Sequence, residues 1–304
     1  MKIGMIGLGR MGLNMTERLI NDGHLIVGYD LNKQSLKSAK MVGAITTKSL
    51  NELVDKIETP RTVWVMVPSG KATEEVVNTL NKLLKSGDCI IDGGNSYYKD
   101  SIRREKLSKQ FSIDYLDCGT SGGIWGLKNG YCLTIGGLKK VYEKHKPIFK
   151  SLSPNKSNGK LHVGPIGAGH FVKMVHNGIE YGIMQAFAEG FELLESKTEF
   201  HLNLEVISEN WRRGSVINSW LLDIIAEELE KEPSLSNLSS VVQDSGEGRW
   251  TVNESIELGV PAPVISAALY ARFRSRQEDP LSGKILSAMR RGFGGHKSDD
   301  STLK

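Results

Sequence analysis

Short apolar runs and helical patterns alternate along the first half of the chain. Residues 2–6, 25–29, 62–67 and 89–92 read as strands, with further strands near 114–118 and 131–136. Between them, apolar positions recur at three- and four-residue spacing over 11–21, 33–41, 72–84 and 99–109, as in helices with one buried face. This alternation predicts a doubly wound, mainly parallel sheet whose ligands sit at the carboxyl ends of the strands. From Gly167 onward strand signals cease. Helical periodicity covers 167–195, 204–213, 215–230, 238–243, 251–258, 261–276 and 280–290. The expected architecture is an α/β Rossmann-like domain over 1–165 followed by an all-α domain over 166–304, with the boundary at the Gly164-Pro165 turn.

The first strand runs directly into Gly7-Leu8-Gly9-Arg10-Met11-Gly12, which opens the first helix. In a G-x-G-x-x-G of this context, the first glycine makes a tight turn, the second admits a pyrophosphate to the backbone, and the third lets helix and strand pack closely. The helix amino terminus adds free N–H groups and the positive end of its dipole. All six residues are candidate dinucleotide contacts. Asp30, at the end of the second strand, suits the adenosine ribose diol and repels a 2′-phosphate. Leu31 and Asn32 supply no cation there, so the cofactor expected is NAD, with NADP second. The plainer alternative for Asp30 is a cap on the following helix.

Three further loops fall on the same rim. Val67-Pro68-Ser69-Gly70 and Asp92-Gly93-Gly94-Asn95-Ser96 follow successive strands, and Asp117-Cys118-Gly119-Thr120-Ser121-Gly122-Gly123 follows a third. Each is a turn by composition. Gathered on one edge they form a cradle, with Val67, Pro68 and Asn95 toward the cofactor, and Asn95, Ser121, Gly122 and Gly123 toward a substrate carboxylate and hydroxyls.

The long helical pattern carries the most chemistry. Lys173, His176, Asn177 and Glu180 stand at i, i+3, i+4 and i+7, on one face. Apolar residues almost all round this helix (Val172, Ile179, Ile183, Met184, Phe187, Phe191) predict a largely buried element, in which polar groups must be paired or employed. A lysine and a glutamate two turns apart can move protons at two points of a polyhydroxy substrate. To act as a base near neutral pH such a lysine must be partly neutral, which desolvation promotes. The bland alternative is a satisfied structural network.

Composition narrows the classes. The 304 residues allow two domains, and 39% hydrophobic with 24% charged content describes a globular chain. A net charge of +4 points to no nucleic acid and accommodates a small anion. Three scattered cysteines, Cys89, Cys118 and Cys132, fit a reducing cytoplasm rather than a disulfide framework or zinc site. A strand at the start speaks against a secretion signal, and no run of eighteen apolar residues offers a membrane span.

The glycine loop, Asp92-to-Ser96, Ser121-Gly122-Gly123 and above all His170-Phe171-Val172-Lys173-Met174-Val175-His176-Asn177-Gly178-Ile179-Glu180-Tyr181-Gly182 resemble the decarboxylating 6-phosphogluconate dehydrogenases. The resemblance extends to Gly248-Arg249-Trp250-Thr251 and to Arg290-Arg291-Gly292-Phe293-Gly294-Gly295-His296. It implies NAD-dependent oxidation of a sugar-acid phosphate at C3, loss of CO2, and release of ribulose 5-phosphate, without a metal. In that implication Lys173 is the general base and Glu180 the acid that protonates the enediol. Asn95, Ser121, Gly122, Gly123, His176 and Asn177 position the substrate, and Tyr181, Arg272, Arg290 and His296 meet its phosphate. A guanidinium fork suits a dianionic phosphate.

The chain departs from the long members of that family by having room for one helical half only, and so resembles the short class. A single half predicts an apolar face covered by another subunit, as a homodimer or homotetramer, with Arg290 and His296 acting in trans. The last residues, Ser298 to Lys304, read alternatively as a frayed tail. Ser245 stands where long members carry a lysine. Two other readings remain: an NAD-dependent hydroxyacid dehydrogenase of the 3-hydroxyisobutyrate or glyoxylate-reductase type, which has no use for Glu180, and a dinucleotide-sensing scaffold, which leaves the polar helix face idle.

Overall fold

A computed structural model describes residues 1–156 and 158–294. The chain divides into two compact units, one spanning Met1 to Asn177 and one beginning at Gly178. The first is built on eight strands: β1 (Lys2–Ile6), β2 (Leu25–Tyr29), β3 (Ile45–Thr46), β4 (Thr62–Val65), β5 (Cys89–Asp92), β6 (Asp114–Ser121), β7 (Cys132–Gly137) and β8 (Lys160–Gly164). Their helices are α1 (Arg10–Asn21), α2 (Lys33–Met41), α3 (Leu50–Asp55), α4 (Lys71–Leu83), α5 (Tyr98–Gln110), α6 (Gly126–Asn129) and α7 (Lys139–Leu152). The strand order is β3-β2-β1-β4-β5-β6-β7-β8, parallel throughout except for the antiparallel β6–β7 pair. Chain direction from β1 leads outward on one side to β2 and on the other to β4, so the loops after β1 and β4 flank the switch point where ligands of such sheets bind.

The strands read as continuous apolar runs because both faces of the sheet are covered. On one side Met5, Met15, Trp64, Ile91, Leu116 and Phe149 form a core; on the other Ile6, Val27, Leu53, Val65, Leu80 and Ile90 form a second. The doubly wound sheet is thus as expected. Four additions go beyond that expectation: β3 with α3, the short helix α6, the helix α7, and the edge strand β8. The strand expected over 62–67 ends at Val65, which leaves Val67 and Pro68 in the loop.

The helix α8 (Ala168–Ser196) begins in the first unit and continues into the second, which adds α9 (Leu204–Arg212), α10 (Trp220–Lys231), α11 (Glu247–Glu257), α12 (Pro263–Arg274) and α13 (Leu281–Gly294). Among the described residues no strand follows β8. The helix expected over 238–243 is absent; that segment is bend and coil, because its serines offer the backbone local partners, as where Ser239 Oγ accepts from Val241 N. The start of α10 lies at Trp220 rather than 215, where Ser219 Oγ accepts from Leu222 N and caps the helix. Nor is α8 buried along its length. Met174 and Tyr181 are enclosed, but Val172, Ile179, Ile183 and Met184 are exposed, Ile179 by 52%.

Candidate active site

The glycine-rich turn has the shape a pyrophosphate requires. Gly7 adopts φ +90°, open to glycine, and a Cβ there would strike the carbonyl of Met66. A Cβ on Gly12 would strike the carbonyl oxygen of Gly7, so helix and turn touch backbone to backbone. Gly9, the N-cap of α1, has open space around it, and no side chain caps the helix. Arg10 is exposed, Met11 half-buried, and Leu8 points into the core. The residues therefore fit a dinucleotide: an uncapped helix start faces an unobstructed backbone.

Asp30 ties this turn down. Its Oδ2 accepts from Leu8 N at 2.6 Å, and its Oδ1 accepts from Asn32 N at 2.7 Å. The cap of α2 is Asn32 instead, whose Oδ1 accepts from Gln34 N and Ser35 N. Asp30 is thus no helix cap. Each of its oxygens retains a lone pair for a diol.

The other rim loops are joined by side chains. Asn95, with φ +51°, donates through Nδ2 to Thr120 O (3.1 Å) and accepts at Oδ1 from Thr120 N (2.9 Å). That reciprocal pair locks the loop after β5 to the end of β6, where Ser121 and the positive-φ residues Gly122 and Gly123 turn outward. Val67 is half-buried and Pro68 exposed; the Pro68 carbonyl accepts from Thr73 Oγ1.

The start of α8 is seated on the sheet by a junction that sequence reasoning missed. Asp117, on β6 and fully buried, accepts from Gly167 N and His170 N, both at 2.7 Å, and so caps α8 from a neighbouring strand. Burial raises its pKa, opposed by neighbouring His170 and by those two N–H groups. The contact is close because glycine meets glycine. A Cβ on Gly169 would lie 2.5 Å from Thr134 O and 2.6 Å from Asp117 O, and one on Gly136 would lie 2.7 Å from Gly169 N. A Cβ on Gly119 would collide with the Cβ of Lys173. Gly136, inside an expected strand, is the available signal for such an approach.

This junction sets Lys173 over Gly119, two residues before Ser121. Lys173 is 8% exposed and donates from Nζ to Asn177 Oδ1 at 2.6 Å; His176 Nδ1 lies 3.1 Å from the same oxygen. Three of the four residues on the predicted stripe therefore form one cluster. The first unit brings together the glycine turn, Asp30, Asn95, the Ser121-Gly122-Gly123 turn and the lysine.

In the second unit, Glu180 is half-buried on the continuing helix. Tyr181 is 5% exposed, its hydroxyl accepts from Ser245 N at 3.3 Å, and the guanidinium of Arg272 stacks 3.5 Å from its ring centre. Arg272 also donates to Gln243 O at 3.1 Å. Ser245, which also bonds Glu247, thus adjoins Tyr181, one of the residues assigned to the phosphate. Arg290 is exposed on α13, and His296 lies outside the described residues.

Residues 2–164 match the model of the NAD binding domain of 6-phosphogluconate dehydrogenase, and residues 169–281 match that of the 6-phosphogluconate dehydrogenase C-terminal domain. A putative 6-phosphogluconate dehydrogenase of Bacillus subtilis, YqeC, is 42% identical over 299 residues, covering 98% of this chain and 99% of its own. An NAD(+)-dependent, decarboxylating 6-phosphogluconate dehydrogenase of Haloferax volcanii is 40% identical over 298 residues, 98% of each. An NADP(+)-dependent, decarboxylating 6-phosphogluconate dehydrogenase of Bacillus subtilis also matches, at 37% identity over 91% of this chain and 62% of its own. The Plasmodium falciparum 6-phosphogluconate dehydrogenase structure superimposes with a TM-score of 0.82 at 32% identity, over 97% of this chain and 65% of that one.

Proposed function

Because this chain belongs to the 6-phosphogluconate dehydrogenase family, we propose that it oxidatively decarboxylates 6-phosphogluconate to ribulose 5-phosphate and CO2 with NAD as oxidant. The observation that carries this reading is the buried Lys173, bonded to Asn177 beside His176 and held over Gly119 on the dinucleotide-binding rim.

Lys173 takes the proton of the C3 hydroxyl as hydride leaves C3. The bound nicotinamide supplies the hydride acceptor. The resulting 3-keto acid can lose its carboxyl group as CO2 because the β-carbonyl holds the electron pair released, and the Lys173 ammonium, paired with Asn177, stabilises that developing charge. Glu180 delivers a proton to the carbon that lost CO2, closing the balance. Asn95, Ser121, Gly122, Gly123, His176 and Asn177 hold the sugar acid. Tyr181, Arg272, Arg290 and His296 receive the phosphate, the last two from a neighbouring subunit of a homodimer or homotetramer.

Gly7, Leu8, Gly9, Arg10, Met11, Gly12, Asp30, Val67, Pro68 and Asn95 serve the dinucleotide. NAD is preferred over NADP because Asp30 presents its carboxylate where a 2′-phosphate would lie, with Leu31 exposed beside it. The division of labour falls at 165/166, dinucleotide domain before and substrate domain after. The reaction places the enzyme in the cytoplasm, in the pentose phosphate pathway and gluconate utilisation.

The test is simultaneous measurement of NADH and CO2 from 6-phosphogluconate, beside NADH from 3-hydroxyisobutyrate. One CO2 per NADH from the first substrate alone is expected. NADH without CO2, or turnover of 3-hydroxyisobutyrate only, replaces this reading with that of a non-decarboxylating hydroxyacid dehydrogenase.

A further inference from the structure

Behind the rim, one arginine joins two loops that chain connectivity leaves separate. Arg104, on α5, is 1% exposed. Its Nη2 donates to the carbonyl of Gly70 at 3.2 Å, at the end of the loop after β4. Its Nη1 lies 3.4 Å from Asp92 Oδ2, at the start of the loop after β5, and its Nε donates to Glu74 Oε2 at 3.0 Å. Asp100 Oδ2, 3.8 Å from Nη2, completes its surroundings.

Asp92 passes that hold onward. Its Oδ1 accepts from Gly94 N at 3.2 Å, and its Oδ2 accepts from Ser96 Oγ at 2.9 Å and from Tyr115 Oη at 3.1 Å. Gly94 and Ser96 bracket Asn95, which is locked to Thr120. Polar contacts thus run from Gly70 through Arg104 and Asp92 to the loop that carries Asn95, and from Asn95 to Thr120. A buried guanidinium is costly to enclose, and a fold that only needed to fill this space could do so with an apolar side chain. What the planar fork supplies is fixed directions toward two loops at once, which no other side chain offers.

We propose that Arg104 is a positioning residue: it sets the distance between the loop at Val67 to Gly70 and the loop carrying Asn95, and thereby aligns the donor carbon of the substrate with its hydride acceptor. This rests on the proposed assignment of those loops to cofactor and substrate. Misplacement of reacting atoms by about 1 Å costs on the order of a hundredfold in rate, so the effect appears in kcat.

The test is Arg104→Lys, which keeps a positive charge beside Asp92 and Glu74 but has one nitrogen and cannot reach Gly70 as well. The wild type is first assayed on 6-phosphogluconate, which tests the function reading alone. For the variant, amide hydrogen exchange is expected to quicken by about tenfold at Glu74, whose N–H donates to Gly70 O at the end of the first loop, and at Gly93 and Gly94 in the second, with the sheet unchanged. NAD affinity should stay within about threefold while kcat falls at least tenfold. Ser96→Ala, which releases the loop end from Asp92 without touching the arginine, should quicken exchange at Gly93 and Gly94 and lower kcat in the same direction. If Arg104→Lys does not fold, the exchange and kcat of Ser96→Ala decide between the two outcomes. Unchanged exchange at either loop, or kcat within about twofold of wild type in a folded variant, overturns the proposal.

Discussion

The two units bury their apolar residues by different means. In the first, helices on both faces of the sheet enclose two extensive cores, and the buried charges of Asp92, Arg104 and Asp117 are paired. In the second, the buried cluster is small, centred on Tyr181, Val252, Ala268 and Leu269, while Ile183, Met184, Val264, Ile285, Leu286, Met289 and Phe293 remain exposed. Lys173, the proposed base, stands on the first kind of scaffold. The second kind offers surface to a neighbour, consistent with the proposed oligomer. Along α8 the backbone is pressed against the sheet at Gly169 and has open space at Gly190.

Substitutions at the two ends of α8 should expose that contrast. Lys173→Met is expected to lower kcat by about a thousandfold or more, the range of a general base, while NAD binding by fluorescence titration persists. Loss of NAD binding would mean the side chain is structural. Gly169→Ala comes next. The new methyl would press on the backbone of Thr134, Asp117 and Gly136, none of which can swing aside, so urea unfolding should show a loss of about 3 kcal/mol. Gly190→Ala, on the same helix with open space around it, should be neutral or stabilise by up to about 1 kcal/mol. Equal effects at the two positions would erase the difference between the ends of the helix.

Asp30→Ala should weaken NAD binding by about ten- to a hundredfold, since it removes an acceptor for the ribose and frees Leu8 N. The smallest effect concerns acid stability of the first unit. Hydrogen bonds from Arg103 above all, with Arg104 assisting and burial opposing, lower Glu74 from 4.5 to about 2. A depressed carboxylate stabilises the fold above its unfolded pKa, and that contribution is lost as pH falls from about 4.5 through about 2. Glu74→Gln should therefore flatten the decline of Tm in that window and leave the profile above pH 6 parallel to wild type.

Much of this was legible in the chain. Apolar runs bounded by turn residues marked the central strands β1, β2, β4 and β5, because burial on both faces leaves no polar alternation to obscure them. The edge strand β8 was hidden, since its Lys160 and His162 lie at the sheet margin and dilute the pattern. The helix α7 carries Pro147 and five lysines, which mask its buried stripe of Val141, His145, Ile148 and Leu152. At the site, residue spacing placed Lys173, His176 and Asn177 on one face, and the structure draws them into one cluster. The support beneath them was not legible. Asp117 reaches α8 across 50 residues of sequence, and Arg104 reaches Gly70 across 34, so no local pattern records either contact. Gly119, Gly136 and Gly169 are intelligible only once the strand and helix they separate are seen to touch.

In the proposed reaction, one lysine on this rim removes a proton from the hydroxyl whose carbon gives up hydride, before the carboxyl group departs. Turnover of 6-phosphogluconate deuterated at C3 with NAD, the products being weighed by mass spectrometry, follows that sequence atom by atom. One deuterium is expected in each reduced NAD, with one CO2 released beside it, and neither product from Lys173→Met. Reduced NAD without the label, CO2 formed out of proportion to it, or undiminished transfer in the methionine variant would contradict this role for the lysine.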